Sequence, residues 1–480
     1  MSSIKKNVLY QSFYEILILI LPFFTSPYIS RIMGAEHLGI YSYTFSIAYY
    51  FQMFGMLGIK FYGNRSIAKV RDNKCELKKK YNEIFFLHVI VSSVSLIAYA
   101  FYCFSFSEYK GFALLQGINV LSTIFDVSWL YFGLEKFKTT VTRSAIIKIV
   151  SVICIFVFIK SVKDFSKYII VLGGAQLLNS LVLFFMSFKE VGYSLPSFHN
   201  LKSHVKPMLV LFVPILALSL FKYMDKIMLG ALGDKVELGY YENAEKVLNI
   251  PLSIVFSFGS VMLPRVSNMM VNDDKSAVKR YMSFSIKYMV GISFAMAFGM
   301  AAISSVFAPI FWGTGFIKSG TLIAMLAISI PFSTIASIVR NQDMIPNGHD
   351  KYYSYSIIAG AVVNLIINYL LIPRFQAIGV TIGTITAEIV VCLFELWFVK
   401  DSCNYKKMLL QPFVFFLPSV IMFFTVRFVG KSLGLHVYTL VAQVVSGAIV
   451  FGVAALLLLL IIKDKDTLNL LITAKKCVKK

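Results

Sequence analysis

The chain has 480 residues, 58% hydrophobic and 15% charged, with mean hydropathy +0.75. An ordinary soluble domain carries about 25% charged and about 45–50% apolar residues, so a polytopic membrane protein is expected. The net charge of +22 would suggest a nucleic-acid partner in a soluble protein, but the distribution of the charges along the spans excludes that class.

Apolar segments of about 20 residues, each able to cross the roughly 30 Å hydrocarbon core as a helix, recur from end to end. In chain order they predict helices over 8–29, 38–60, 83–104, 111–133, 144–160 and 166–188, then 208–230, 246–268, 288–309, 321–345, 353–372 and 378–399, with two more over 409–430 and 438–462. The first apolar run is too long for a signal peptide and lacks a small-residue cleavage site. Fourteen spans put both termini on one side. The connections there hold 30 Lys and Arg, against 9 on the opposite side (Arg31, Lys110, Lys160, Lys163, Lys167, Lys235, Lys318, Arg374 and Lys431). Positive residues stay inside, so both termini are expected on the cytoplasmic side. The basic tail 463–480 reads as the anchor of the last span, with an interfacial helix on anionic lipid as the other reading.

Six cysteines (Cys75, Cys103, Cys154, Cys392, Cys403 and Cys477) show no C-x-x-C spacing, and six histidines show no ligand spacing. Neither a metal site nor a disulfide framework is indicated. Every connection is short, which leaves no room for a soluble catalytic domain. No G-x-x-x-x-G-K-[ST] loop occurs, so ATP is not the expected driver.

The chain also repeats itself. "RIMGAEHLGIYSY" (Arg31–Tyr43) answers "KIMLGALGDKVELGYYEN" (Lys226–Asn243), with Leu38, Gly39, Tyr41 and Arg65 matched 200 positions on by Leu238, Gly239, Tyr241 and Arg265. "GLEKF" (Gly133–Phe137) answers "GHDKY" (Gly348–Tyr352). Both echoes begin in spans of equal direction, which indicates two parallel six-helix lobes, as in transporters with internal repeats. The expected organisation is a lobe over 1–188, a cytoplasmic linker over 189–207, a second lobe over 208–400, and an added helix pair with a basic tail over 401–480.

Four stretches then carry a family resemblance over nearly the whole chain. "GIKFYGNRSIAKVRDNKCELKKKYNEI" (Gly58–Ile84) resembles the end of span two and the basic loop of bacterial polysaccharide repeat-unit flippases. "FDVSWLYFGLEKFK" (Phe125–Lys138) resembles their span four. "MDKIMLGALGDKVELGYYENAEKVLNIPLSIVFSFGSVMLPRVS" (Met224–Ser267) is similar to their spans seven and eight, and "NQDMIPNGHDKYYSYSIIAGAVVNLIINYLLIPRFQAIGVTIGTITAEIV" (Asn341–Val390) to spans ten to twelve. The superfamily also holds multidrug extruders and lipid II flippases. The resemblance implies an all-α, V-shaped membrane fold. It also implies alternating-access carriage of undecaprenyl-pyrophosphate-linked oligosaccharide, usually coupled to an ion gradient, with a polysaccharide polymerase and chain-length proteins as possible partners.

Such a cargo needs cationic donors for pyrophosphate and aromatic or amide groups for sugar. A charge at the bilayer centre costs at least ~2.5–3.5 kcal/mol and marks a functional site by default. Lys222 and Lys226 lie one turn apart, with Asp225 beside them; they are either a cavity-facing cationic cluster or anchors snorkelling to the surface. Lys226, matched to Arg31, is the better snorkeller, and Lys222 the better substrate contact. Lys148 and Arg340 lie within two turns of the inner surface, where snorkelling competes with an anion-binding role. Tyr49 and Tyr50 either stack on sugar or join an interfacial belt. Asn364 and Asn368, at i and i+4, either bind sugar or join helices. Glu15, Asp126, Asp225 and Glu388 are candidates for coupling to a proton or sodium ion, the alternatives being pairing with a lysine or capping by a Ser or Thr on a neighbouring helix and, for Asp126, holding the span-four turn. A cation-coupled extruder of the same fold is the other transporter reading; the basic interior favours an anionic cargo. An integral-membrane enzyme would show a large external loop rich in Arg or His, whereas only His37 and His436 lie near that side.

Overall fold

A computed structural model describes residues 2–194, 198–271, 274–400 and 404–464. Its tail beyond 464 and the linker segment 195–197 lie outside the described residues, as do Cys403 and Cys477. Among the described residues every regular element is a helix. The chain divides into two compact units, 1–239 and 240–480.

The first unit contains α1 (Ser2–Met56), α2 (Ile59–Val70), α3 (Lys74–Ser105), α4 (Lys110–Ile124), α5 (Ser128–Gly133), α6 (Phe137–Phe158), α7 (Phe165–Glu190) and α8 (Phe198–Leu232). The second contains nearly all of α9 (Lys235–Val271), then α10 (Lys275–Ser285), α11 (Gly291–Phe311), α12 (Ile317–Leu326), α13 (Ser329–Val339), α14 (Asp350–Phe398), α15 (Tyr405–Leu410), α16 (Phe416–Leu433) and α17 (Val437–Ile461). Among the described residues nine helices are long and apolar enough to span a membrane, or eleven if two bent pairs each count once. The 49-residue α14 counts there as a single helix, although it breaks at Gln376 (φ 52°). α1 breaks likewise at Gly34 (φ 68°) and adds two more. Fourteen membrane segments result.

Three further spans are bent or interrupted along their length. α8 bends by 59° between Leu201–Ala217 and Lys222–Leu232, downstream of Pro214, whose missing N–H and bulky ring open a helix. Span four is two helices, because the Asp126 carboxylate takes the Ser128 N–H at 3.1 Å between α4 and α5. Span ten bends by 43° between α12 and α13 and ends in a π-helical turn, Arg340–Met344.

The first unit's boundary differs from the lobe boundary read in the sequence. The polar segment 198–207 is already helical within α8, and α8 packs on α1, α2 and α3. Span seven therefore groups with the first unit. Within that unit, Trp129, Tyr81, Tyr131 and Leu130 form an apolar core with Ile59 and Ile84; truncating a buried aromatic of this kind costs about 3–5 kcal/mol.

The sequence repeat has a physical counterpart within this unit. A Cβ at Gly39 would lie 1.7 Å from the Lys235 carbonyl oxygen, and one at Gly239 would lie 1.9 Å from the Ala35 carbonyl oxygen. Positions 35 and 39 thus meet 235 and 239 reciprocally, in a backbone crossing that only glycine permits.

In the second unit α11 packs on α12, α16 and α17, and α13 on α14. The final hairpin is docked onto this unit: α16 and α17 pack on each other, and Gln443 donates to the Val426 carbonyl at 2.9 Å. Outward helix faces carry Phe101 and Phe104 at 64% exposure and Val261 at 70%, as lipid-facing surfaces do.

Candidate functional site

Each unit holds a polar cluster inside its apolar helices. In the first unit, the second half of α1 ends at Met56, and Leu57 (φ 39°) and Gly58 (φ 77°) turn the chain into α2. Gly58 also admits the Met208 carbonyl to 2.6 Å from where a Cβ would stand, so both backbone angle and space demand glycine. The turn delivers Lys60 on the first turn of α2. Its Nζ lies 3.3 Å from Asp126 Oδ2, while Asp126 Oδ1 holds the α4–α5 turn. One carboxylate therefore does two jobs, closing the turn and holding the ammonium.

Tyr49, Gln52, Gln176 and Ile215 complete the wall of a 140 Å³ cavity around this pair. The Lys60 side chain is 56% exposed and Asp126 only 14%. Among the described residues, Gln52 Nε2 and both ring nitrogens of fully buried His88 have no hydrogen-bond partner. Arg143 on α6 donates from Nη2 to Ser144 at 3.1 Å, and its buried Nε and Nη1 are likewise without a partner.

The span-seven charges gather around one ring. Tyr49 stacks on Tyr223 with centroids 3.8 Å apart. Lys222 and Lys226 place their ammonium groups 5.6 and 5.7 Å from the same Tyr223 centroid, within cation–π range. Tyr50 donates to the Ser219 carbonyl at 3.3 Å. Asp225 is 3% exposed and Lys226 8%, whereas Lys222 is exposed. The expectation that Lys226 snorkels is corrected: snorkelling needs the head group in water, and Lys226 is buried.

In the second unit, Arg340 Nη2 meets Glu395 Oε1 at 3.2 Å, and Ser356 Oγ donates to the same oxygen at 3.0 Å. The guanidinium also lies over the Tyr353 ring, 4.5 Å from its centroid. Two turns along α14, Glu388 Oε2 is 2.7 Å from Ser333 Oγ. Asn368 donates to Asn364 Oδ1 at 3.1 Å, and both are buried. A larger cavity of 680 Å³ lies elsewhere in this unit, walled by Phe294, Phe298, Phe332, Phe413 and Phe416 among others. It offers no group to a charged ligand.

The geometry thus joins Tyr49, Lys222 and Lys226, and separately Arg340 with the Glu388 helix. Lys148 is half-buried on α6 and does not line the 140 Å³ cavity. The Glu15 side chain lies outside the described residues. Lys60, Arg143, Gln52, Gln176, His88 and Glu395 were not singled out from the sequence. For Glu395 a signal existed: it repeats Glu388 at i+7, just as Arg340 repeats Ser333.

The model of a family described as polysaccharide biosynthesis protein matches residues 4–270. The "Putative O-antigen transporter" of Escherichia coli K12 is 23% identical over 407 residues, which is 83% of this chain and 97% of the relative. Among solved structures, the lipid II flippase MurJ in an inward closed conformation superposes with TM-score 0.74 at 16% identity, covering 94% of this chain and 99% of the other. An inward-facing multidrug resistance transporter of the MATE family superposes with TM-score 0.60 at 12% identity, covering 81% and 95%. At these identities the two structures establish a shared extruder-like fold.

Proposed function

Because the chain belongs to the polysaccharide biosynthesis protein family, we propose that it is a flippase for undecaprenyl-pyrophosphate-linked oligosaccharide repeat units. It moves them by alternating access from the inner to the outer leaflet of the bacterial cytoplasmic membrane, with both termini inside. The similarity to an O-antigen transporter over most of both chains, and the fold shared with a lipid II flippase, support this cargo class.

The observation that carries the reading is the unit-one cluster: Lys60, Lys222 and Lys226 with Tyr49 and Tyr223, set among membrane helices. A sugar and a pyrophosphate do not cross hydrocarbon unaided. Ammonium groups meet the phosphates, and aromatic faces meet the sugars. No covalent step is required, and the protein acts as a carrier rather than an enzyme. Transport against a gradient draws on an ion, with Glu15, Asp126, Asp225 and Glu388 as the groups able to bind it. A polymerase and chain-length proteins are natural partners on the outer side, where the repeat unit is delivered.

The test is reconstitution in liposomes loaded in one leaflet with an undecaprenyl-pyrophosphate oligosaccharide, followed by exposure of its sugar on the other side. Wild type flips it, and Lys60→Met and Lys222→Ala slow it about tenfold or more. Efflux of cationic dyes without movement of any such lipid would overturn the reading in favour of the extruder.

A further inference from the structure

We propose that Glu388 is a proton-binding site inside the second unit, and that the neighbouring Arg340–Glu395 ion pair is what keeps the proton on it. The starting point is the spacing. Glu388 and Glu395 are seven residues apart on α14, and Ser333 and Arg340 are seven apart on α13 and its π-helical turn. Seven residues are two helical turns, about 10.5 Å of rise, so each pair shares one face. The two faces meet in two rungs, Ser333–Glu388 at 2.7 Å and Arg340–Glu395 at 3.2 Å.

The rungs differ in charge. The Arg340 guanidinium is committed to Glu395, which is 0% exposed and also holds the Ser356 hydroxyl. Among the described residues the hydrogen-bond partner of Glu388 is a neutral hydroxyl, and the Arg340 charge reaches it only from a distance. Two carboxyl groups and one cation, placed in a medium that penalises net charge, leave one carboxyl to be neutralised by a proton.

The other ionisable groups nearby do not supply the missing charge. Cys392 lies between the two glutamates on the same helix. Asp343, in the same π-helical turn as Arg340, takes the Tyr405 hydroxyl at 2.6 Å. The buried cation Lys287 is held by Asp464 at 2.5 Å.

Ser333 supplies the proton's second partner. Its Oγ lies 3.1 Å from the Ser329 carbonyl as well as 2.7 Å from Glu388 Oε2. A serine hydroxyl has one proton to give but can also accept. With Glu388 protonated, the acid donates to Ser333, and Ser333 donates to the Ser329 carbonyl. With Glu388 ionised, the hydroxyl rotates and donates to the carboxylate instead. In both states the Ser333 hydroxyl keeps a partner, so the proton can leave and return by a hydroxyl rotation.

The site deepens the proposed function only in its transport consequence, where loading and unloading Glu388 couples the carrier to a proton gradient. The proton site itself is tested apart from transport. Difference infrared spectra of the purified, lipid-embedded full chain, wild type minus Glu388→Gln, are recorded across pH. The expected difference is one protonated-carboxyl band, present in wild type and absent from the variant, that disappears as the pH is raised.

Two further variants test the charge argument. Glu395→Gln releases the Arg340 charge and removes a neighbouring anion, so the Glu388 midpoint falls by about one pH unit or more. Arg340→Gln removes the cation, so the midpoint rises and a second protonated carboxyl, that of Glu395, appears. Glu388→Asp retains a carboxyl and keeps the protonated band that Glu388→Gln loses, which separates loss of the site from poor folding. A wild-type spectrum with no band lost in Glu388→Gln, or a midpoint indifferent to Glu395→Gln, overturns the proposal. In liposomes, the response of flipping to an imposed proton gradient, present in wild type, is lost in Glu388→Gln. If wild type flips no lipid while the spectra behave as stated, the flippase reading falls and the proton site stands.

Discussion

The Lys60–Asp126 pair gives the sharpest test of an anionic cargo, because its two members should respond with opposite signs. At 3.3 Å, two unit charges attract by about 5 kcal/mol at an effective dielectric constant near 20. The Lys60 side chain is 56% exposed, so screening and side-chain entropy reduce the net contribution to about 1 kcal/mol. A pyrophosphate arriving at Lys60 must displace or share the Asp126 carboxylate and must also meet its negative charge. Asp126→Asn removes that competition while leaving an oxygen to accept the Ser128 N–H, so the turn survives. At ~1.4 kcal/mol per tenfold in affinity, binding of undecaprenyl pyrophosphate should tighten about fivefold. Lys60→Met removes a charge-assisted hydrogen bond of about 1.5–3 kcal/mol, which weakens binding by roughly 10- to 100-fold. The assay is equilibrium binding of radiolabelled undecaprenyl pyrophosphate to detergent-solubilised protein, with melting temperature as the control for folding. If Asp126→Asn weakens binding as Lys60→Met does, the pair is a structural bridge and the cargo does not compete for its ammonium.

Three other outcomes follow from the packing. Gly39→Ala and Gly239→Ala each insert a Cβ less than 2 Å from a carbonyl oxygen; overpacking of this kind costs about 1–3 kcal/mol or more, seen as a lower melting temperature in detergent. The double variant should cost less than the sum, since one separation of the two backbones relieves both clashes. Tyr223→Leu loses the Tyr49 stack and both lysine contacts, about 1.5–3.5 kcal/mol in all, whereas Tyr49→Leu loses the stack alone; melting temperatures in the reverse order would refute the arrangement. Asn368→Ala should cost about 1 kcal/mol, in line with a hydrogen bond that joins polar groups within the membrane interior, and a loss of oligosaccharide affinity out of proportion to that would make the amide pair a sugar contact instead.

Helix order was legible in the sequence because lipid imposes one solvent rule on every span, and that rule appears as apolar length. The breaks within spans were not. Asp126 interrupts span four in "FDVSWL" with no glycine or proline to announce it; the side chain competes for a backbone N–H, an effect that a hydropathy window cannot register. The internal repeat was visible as four matched positions, yet its strongest physical consequence, the crossing of positions 35 and 39 with 235 and 239, needed coordinates. Lys60 escaped notice for a related reason. It ends the second apolar run, where a lysine is ordinarily a surface anchor, and only the left-handed turn at Leu57–Gly58 returns the chain toward Asp126.

Span seven illustrates why depth counted along a sequence misplaces charges. Counting residues from the outer end put Lys226 nearer to water than Lys222, and the match to Arg31 pointed the same way. That reasoning assumes a straight helix with radially equivalent surroundings. α8 bends by 59° just before Lys222, and Tyr223 fills the space between the two ammonium groups, stacked on Tyr49. Lys226 is consequently buried at 8% exposure while Lys222 is exposed. A buried ammonium is held by what surrounds it, and removing it leaves those groups unsatisfied. An exposed one close to an aromatic stack can exchange water for a phosphate oxygen at little structural cost. Lys226→Ala should therefore lower stability more than Lys222→Ala, and Lys222→Ala should weaken pyrophosphate binding with the melting temperature nearly unchanged. Equal losses of stability from both would mean that the two lysines are one structural clamp on Tyr223, and the anion contact in this unit would then rest on Lys60 alone.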